Sequence, residues 1–281
     1  MLGGSAVHFA LAASFFTEVR VVGPVGDDFT DEHFTVLTER GVAVDDIEQI
    51  EGGKTFFWRG HYDHDMNVAH TDETELNVFA DFVPKLSPAS HEAGVLFLGN
   101  IQPDLQRDVR KQASASFAAL DSMNLWIETA RDSLLAAIAD VDCLLLNDAE
   151  LRMLTEQPNL VTAANAAMDL GPGVVVAKRG EYGAMLFTAD GPFAIPGMPL
   201  EEVRDPTGAG DSFAGGFLGY LDAVRVDGTH DERALRRAMA YGSVMASFNV
   251  EDFGTARVSS LSEDEVAERL AAFKRLTHFH E

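Results

Sequence analysis

The chain has 281 residues, 46% of them hydrophobic, with a formal net charge of −24. This length and composition suffice for one large α/β domain with an insertion. The acid excess argues against a nucleic-acid or anionic-membrane partner, since both are bound through clustered lysine and arginine. It also motivates the hypothesis that the protein is adapted to high salt. The single cysteine, Cys143, makes an internal disulfide impossible and predicts a reducing, cytoplasmic compartment.

Apolar runs and turn residues predict alternating strands and helices along most of the chain. Residues 1–16 are apolar but lack a basic start and a convincing cleavage site, so we interpret them as a buried helix rather than a signal peptide. No stretch is long and apolar enough to span a bilayer. Further predicted elements are strands at 19–23, 95–98, 117–120 and 143–146, and helices at 31–41 and 105–114. This alternation predicts a doubly wound, mainly parallel sheet flanked by helices.

The pattern changes between residues 42 and 82. Segments 55–62 and 76–79 read as antiparallel strands separated by polar turns. We therefore expect an α/β domain over 1–41 and 83–281, with a small antiparallel sheet over 42–82.

The most informative segment is 205–216, a glycine-rich turn that continues into an apolar helix. Gly208, Ala209 and Gly210 are small enough to let a phosphate approach the main chain, where a helix start leaves N–H groups unpaired. Asp211 then stands where an acceptor hydroxyl would lie, which predicts a phosphoryl-transfer site. A Gly-x-Gly-Asp sequence alone favours the simpler interpretation, in which Asp211 is only a helix N-cap. No lysine follows these glycines as in Walker A, and Phe213 stands where the dinucleotide pattern needs glycine.

This segment resembles the C-terminal signature of the ribokinase-like (PfkB) carbohydrate kinases. Four further stretches match family motifs in the expected order, so that the resemblance covers nearly the whole chain. They are Gly3-Gly4-Ser5-Ala6, the segment 22–28, Asn147-Asp148-Ala149-Glu150, and 175–184. The resemblance implies a ribokinase-like fold whose 42–82 sheet is a lid that excludes water. It implies ATP- and Mg²⁺-dependent phosphorylation of a hydroxyl, preferentially primary, of a small sugar, with a nucleoside as the alternative acceptor.

The resemblance also assigns roles to individual residues. Asp211 is the base, and the amides of Gly208, Ala209 and Gly210 form an anion hole. Asn147 and Glu150 position Mg²⁺, mostly through water. The residues expected along the ATP phosphates or ribose are Lys178, Gly180, Gly183 and Thr207. Asp205, with Thr207, is a candidate site for a monovalent cation such as K⁺.

Substrate contacts are expected from the Gly-Gly element and from polar residues near strand ends or on the lid. Ligands of open α/β sheets bind at the carboxyl ends of strands. The candidates are Gly3, Gly4, Asn100, Asp121, Asn124 and Arg59. An exposed lid sheet could also pair with a second copy in a homodimer.

One departure from the family pattern concerns the start of the fold. The family begins with a strand and a substrate-binding Asp before the Gly-Gly element, whereas only Met1 and Leu2 precede it here. We therefore expect this first β-strand to be missing from the chain. This keeps open a second class, a non-catalytic ligand-binding or regulatory pseudokinase, although the intact Asp211 favours the enzyme.

Overall fold

A six-stranded sheet forms the centre of the molecule, in a computed structural model that describes residues 1–64, 66, 69–225 and 231–278. Its strand order is β10-β9-β8-β7-β6-β5. The strands are β5 Val95–Leu98, β6 Phe117–Asp121, β7 Cys143–Asn147, β8 Val174–Lys178, β9 Ala184–Thr188 and β10 Gly191–Ile195. Strands β5 to β8 are parallel, and β9 and β10 are antiparallel additions. The predicted α/β class and mainly parallel sheet are confirmed.

The described residues form twelve α-helices. They are α1 Ser5–Ala13, α2 Asp31–Thr38, α3 Pro88–His91, α4 Pro103–Gln112, α5 Asn124–Thr129, α6 Arg131–Ile138, α7 Asp148–Thr155, α8 Leu160–Met168, α9 Ala209–Val224, α10 Glu232–Asn249, α11 Ala256–Ser259 and α12 Glu263–Thr277. Helix α1 is buried, as predicted for the apolar first residues. Within the described ranges, no helix is long and apolar enough to cross a membrane.

Side chains alternate between the two faces of the sheet, so each central strand contributes to both halves of the core. On β7, Leu145 packs with α1, α9 and α10, whereas Leu144 and Leu146 pack with α6, α7 and α8. Helices α1 and α9 approach closely because Gly215 carries no side chain. A Cβ there would lie 2.4 Å from the Phe9 carbonyl oxygen. This close packing brings the starts of α1 and α9 together at one edge of the sheet.

A second, two-stranded parallel sheet joins β1 Arg20–Val25 to β2 Ala43–Gln49. In the described chain β5 pairs only with β6, and no strand lies between β1 and β5. A cleft of about 2600 Å³ runs between these two strand edges and continues to the start of α9.

The 42–82 segment contains an antiparallel hairpin of β3 Phe57–Tyr62 and β4 Ala69–Glu75. The prediction of a strand at 76–79 is wrong, because Asn77–Phe79 forms a short 3₁₀ helix. Asn77 has φ 48°, and its side-chain amide donates to the Thr55 carbonyl at 2.9 Å, which ends the hairpin. The strand that pairs with β3 is β4, which has too few apolar residues to be predicted as a strand. Strand β2 lies in the same segment but pairs with β1.

Candidate active site

The glycine-rich turn ends at the first residues of α9, with Gly208 as the N-cap. Gly208 has φ 78°, in the left-handed region that favours glycine. A Cβ on Gly208 would lie 2.5 Å from the ring of His8, so the position also lacks space for a side chain. Asp211 lies in the first turn of α9. The loop therefore exposes main chain, rather than side chains, next to a carboxylate.

The amides of this turn are not equivalent. The Ala209 N–H donates to the Pro206 carbonyl at 3.1 Å, which closes the turn. Gly208 and Gly210 donate no hydrogen bond to another described residue. Helix starts carry unpaired N–H groups and the positive end of the helix dipole, so the Gly208 and Gly210 amides suit an anion best. Ala209, predicted with them, serves the turn itself.

A buried polar network, which the sequence did not indicate, supports the turn from below. The Asn249 side-chain amide donates to the Thr207 carbonyl at 2.7 Å, and its oxygen accepts from the Ser212 hydroxyl at 3.0 Å and from His8 Nδ1 at 2.8 Å. Because that oxygen can only accept, the His8 proton resides on Nδ1. Burial lowers the pKa of His8, although the nearby Asp211 opposes this shift. A neutral His8 therefore underlies the turn at neutral pH.

Asp205 and Thr207 fix the entry to the turn. One Asp205 oxygen accepts the Thr207 N–H at 2.9 Å, and the other accepts the Gly254 N–H at 3.4 Å. The Thr207 hydroxyl lies 3.1 Å from the Tyr62 hydroxyl of β3. Thr207 thus connects the turn to the 57–75 hairpin.

The Gly-Gly element lies directly beside Asp211. Gly4 is the N-cap of α1 with φ 93°, and the Ser5 hydroxyl donates a hydrogen bond to Asp211 Oδ1. Gly3 lies against the His8 ring, with 3.7 Å between its Cβ position and Nε2. Two motifs that are about 200 residues apart in the sequence therefore meet at one carboxylate. Ser5 was not predicted as a site residue.

Asn147 and Glu150 form a reciprocal capping box at the start of α7. The Asn147 N–H donates to the Glu150 carboxylate at 2.9 Å, and the Glu150 N–H donates to the Asn147 side chain at 2.8 Å. Burial is the main cause that raises the pKa of Glu150, to about 7. The negative charges of Asp121 and Asp211 also raise this pKa, and Lys178 only partly opposes them. One oxygen of Glu150 is used by the cap, which leaves the other for a ligand in the cleft.

Lys178, the last residue of β8, forms a salt bridge with Asp121 at the end of β6. Its ammonium lies 3.1 Å from the Cβ position of Gly210 and therefore directly over the amide turn. Burial lowers the pKa of Lys178, but the facing carboxylates, led by Asp121, outweigh it and raise the pKa overall. Lys178 consequently carries its charge at neutral pH.

The two glycines after Lys178 differ in their surroundings. Gly180, with φ 55°, lines the cleft. Gly183, with φ 88°, packs against β10, where a Cβ would lie 2.2 Å from the Ile195 carbonyl oxygen. Gly180 can therefore approach a nucleotide, whereas the need for glycine at position 183 comes from chain packing.

The remaining substrate candidates line the same cleft as polar, exposed groups. The Asn100 side-chain oxygen accepts the Trp126 indole N–H at 3.1 Å. Asn124 begins α5 and accepts the N–H of the next residue at 3.0 Å. Arg59, on β3, pairs with Glu73 of β4 at 2.8 Å. Each keeps unused hydrogen-bonding capacity toward the cleft.

A helix start with unpaired amides, a carboxylate beside it and an ammonium are the groups that phosphoryl transfer to a hydroxyl requires. Comparison with known proteins gives the same class. The pfkB family carbohydrate kinase model matches residues 2–260. The chain belongs to this family, and it is a phosphotransferase with an alcohol group as acceptor.

Individual relatives extend over most of the chain. The cytidine kinase of Thermococcus kodakarensis is 31% identical over 230 residues, which cover 78% of this chain and 80% of that protein. The ATP-dependent ribose-1-phosphate kinase of Halopiger xanaduensis is 28% identical, with 87% and 80% covered. The crystal structure of Methanocaldococcus jannaschii nucleoside kinase superposes with a TM-score of 0.77 at 21% identity, with 96% and 86% covered. The ribokinase-like fold is thereby confirmed.

Proposed function

We propose that the protein transfers the γ-phosphoryl group of ATP to a primary hydroxyl of a nucleoside, with Asp211 as the base. The observation that carries this proposal is the meeting of the Gly-Gly element with the start of α9, where Ser5 donates to Asp211. Through this contact, the Gly-Gly element, predicted to bind the acceptor, and the turn before α9, predicted to bind the phosphate, both lie next to the Asp211 carboxylate. The Gly208 and Gly210 amides and Lys178 would bind the transferred group.

In this mechanism Asp211 accepts a hydrogen bond from the acceptor hydroxyl in place of Ser5. It orients that hydroxyl and takes its proton late, because transfer proceeds through a loose transition state. The negative charge spread over the equatorial oxygens of the phosphoryl group is met by the two amides, by the α9 dipole and by the Lys178 ammonium. These donors need no rearrangement, since the His8 and Asn249 network already holds the turn.

The charge balance of the site fits a divalent cation. Three carboxylates, from Asp121, Glu150 and Asp211, face a single ammonium, so a bound triphosphate would add charge of the same sign. The described residues contain no cluster of three metal-ligating side chains. Mg²⁺ suits such a site because it retains several waters and uses few protein ligands besides phosphates. Glu150, with Asn147, would hold it, and bound Mg²⁺ would neutralise charge on the phosphate oxygens.

Asp205 is the candidate for a K⁺ site, with the Thr207 hydroxyl as a further oxygen. Both Asp205 oxygens already accept backbone N–H groups and retain lone pairs. Comparing the rate in KCl with the rate in choline chloride at equal ionic strength tests this assignment. A K⁺ requirement lost in Asp205→Asn would support it.

The 57–75 hairpin is proposed to act as the lid and as a dimer surface. Tyr62 lies over the turn through its contact with Thr207, which would shield the reacting groups from water. Phe56, Phe57 and Leu76 are exposed by 37–43% near the hairpin, and a second copy could cover them in a homodimer.

The buried free Cys143 and the acid surface suit a cytoplasmic protein without a nucleic-acid partner.

A nucleoside acceptor is supported by the named activities of relatives, a cytidine kinase and a nucleoside kinase. Trp126 and Asn100 line the cleft as an aromatic group and an amide that could hold a base. A small sugar or sugar phosphate is the second candidate acceptor, because the alignment with the ribose-1-phosphate kinase covers 87% of this chain. Gly4, Asn124 and Arg59 would contact either acceptor.

The test is ADP release with ATP and Mg²⁺ across nucleosides, pentoses, hexoses and sugar phosphates. We expect turnover with a nucleoside that falls by at least about 100-fold in Asp211→Asn. Turnover with a sugar phosphate alone would select the second candidate. ATP binding without turnover on any acceptor would instead support the ligand-binding pseudokinase.

A further inference from the structure

The Asp121 to Lys178 salt bridge is the most deeply buried charge pair that the structure describes. Their side chains are only 6% and 15% exposed. Such a pair is costly to bury and adds little net stability compared with apolar residues of similar size. Stability therefore does not account for the pair, whereas its position beside the amide turn is consistent with a functional role.

Asp121 is buried and does not line the cleft, so an acceptor there does not reach it. One carboxylate oxygen accepts from Lys178, and the other accepts the Ser122 N–H at 2.9 Å. Its residue is 4% exposed, whereas Asn100 and Asn124 are exposed on the same side of the sheet. This geometry argues against direct substrate contact, the role that the sequence suggested for Asp121.

Lys178 instead lies beside the amide turn that is proposed to bind the phosphoryl group. Its ammonium is 3.1 Å from the Cβ position of Gly210, and the charged groups that face it are Asp121 from β6, Glu150 from α7 and Asp211 from α9. Among the carboxylates of the described residues, only Asp121 forms a salt bridge with it. Without that partner, a flexible lysine could swing toward Glu150 or Asp211 and neutralise a carboxylate that the reaction needs.

We propose that Asp121 is a positioning residue that holds the Lys178 ammonium against the amide turn, so that Lys178 stabilises the phosphoryl group during transfer. The inference rests on the proposed function and deepens it. Asp121 then acts through Lys178 and contributes to the transition state rather than to the binding of either substrate.

The experiment compares binding of ADP with Mg²⁺ alone and with aluminium fluoride, which mimics the transferring phosphoryl group. In the wild type we expect aluminium fluoride to tighten ADP binding by about 100-fold, as for other transition-state mimics. Asp121→Asn should lose at least about tenfold of this tightening, while its affinity for ADP alone changes less than about threefold. The control Asp108→Asn removes a partner of the exposed Lys111 and should behave as wild type.

A double-mutant cycle separates positioning from a structural role. Lys178→Met should lose the same tightening, and adding Asp121→Asn to it should change the result less than about twofold, because the two residues act together. The double variant also removes both charges, so it leaves no unpaired buried ion if Asp121→Asn folds poorly.

Three results would overturn this proposal while leaving the proposed phosphoryl site intact. Equal tightening in Asp121→Asn and wild type would show that Asp121 does not act on the phosphoryl site. Independent losses from the two substitutions would show that it does not act through Lys178. A raised KM for the acceptor with unchanged kcat would make it a substrate ligand. If aluminium fluoride tightens nothing even in the wild type, the proposed phosphoryl site fails as a whole, and this inference fails with it.

Discussion

Glu150→Gln should stabilise the protein at alkaline pH while reducing its activity. Burial raises the pKa of Glu150 from 4.5 to about 7. The unfolded chain therefore releases this proton at lower pH than the folded protein, so the contribution of Glu150 to stability falls as pH rises from 4.5 to 7. Glutamine stays neutral and can still accept the Asn147 N–H in the capping box.

The shift sets the magnitude of the effect. A difference of about 2.5 units corresponds to about 3 kcal/mol in the free energy of unfolding once the folded carboxyl is ionised. We expect Glu150→Gln to gain about 3 kcal/mol over wild type at pH 8 and less than about 1 kcal/mol at pH 5. Urea unfolding at both pH values, with EDTA and no nucleotide, measures this difference. Turnover should fall at least about tenfold, since Glu150 is proposed to hold Mg²⁺.

Glu265 provides a matched control. It occupies the same third position of a capping box in α12, but the Ser262 N–H and Arg257 lower its pKa to about 2. Glu265→Gln should therefore destabilise the protein at pH 8, the opposite sign. Equal stability of Glu150→Gln and wild type at both pH values would refute the explanation of the raised pKa.

Three further outcomes follow from the structure. Tyr62→Phe should raise ATP hydrolysis without acceptor severalfold relative to transfer, because the hydroxyl bridges the hairpin to Thr207; an unchanged ratio of ADP released without and with acceptor would contradict a sealing role. Gly208→Ala should lower stability by about 1–3 kcal/mol and impair turnover, because its Cβ meets the His8 ring at φ 78°; an unaltered melting temperature would show that the turn relaxes freely. Raising KCl from low to molar concentration should increase the melting temperature, because it screens the repulsion within a chain of net charge −24; no gain would argue against high-salt adaptation.

The parts of the fold that local patterns determine could be predicted from the sequence. The apolar run at 95–98 became β5 with the predicted bounds, and Asp211 fell in the first turn of the predicted helix. Strand β4 was not predicted, because its residues are polar and exposed and show no apolar alternation. The strand was predicted instead at the nearby apolar residues 76–79. An alternating apolar pattern arises where one face of a strand is buried. The residues of this hairpin are mostly exposed, so its sequence carries little of that pattern.

The site could be predicted only where its chemistry lies within one motif. Pairings between distant segments, such as His8 with Asn249 and Asp121 with Lys178, leave no local signal, since 241 and 57 residues separate the partners. A histidine in an apolar helix and an aspartate after a strand are each common in ordinary cores. The three-dimensional structure identifies these residues as neighbours of the glycine-rich turn, because α1 packs on α9 and because β6 and β8 lie on either side of β7.

The most direct test of phosphoryl transfer at Asp211 is a single-turnover measurement with γ-labelled ATP and the best acceptor from the panel. The account predicts that label moves to the acceptor in the wild type, and that Asp211→Asn binds ATP with similar affinity but transfers label at least about 100-fold more slowly. Transfer at the wild-type rate in Asp211→Asn would contradict the assignment of the base and, with it, the proposed mechanism.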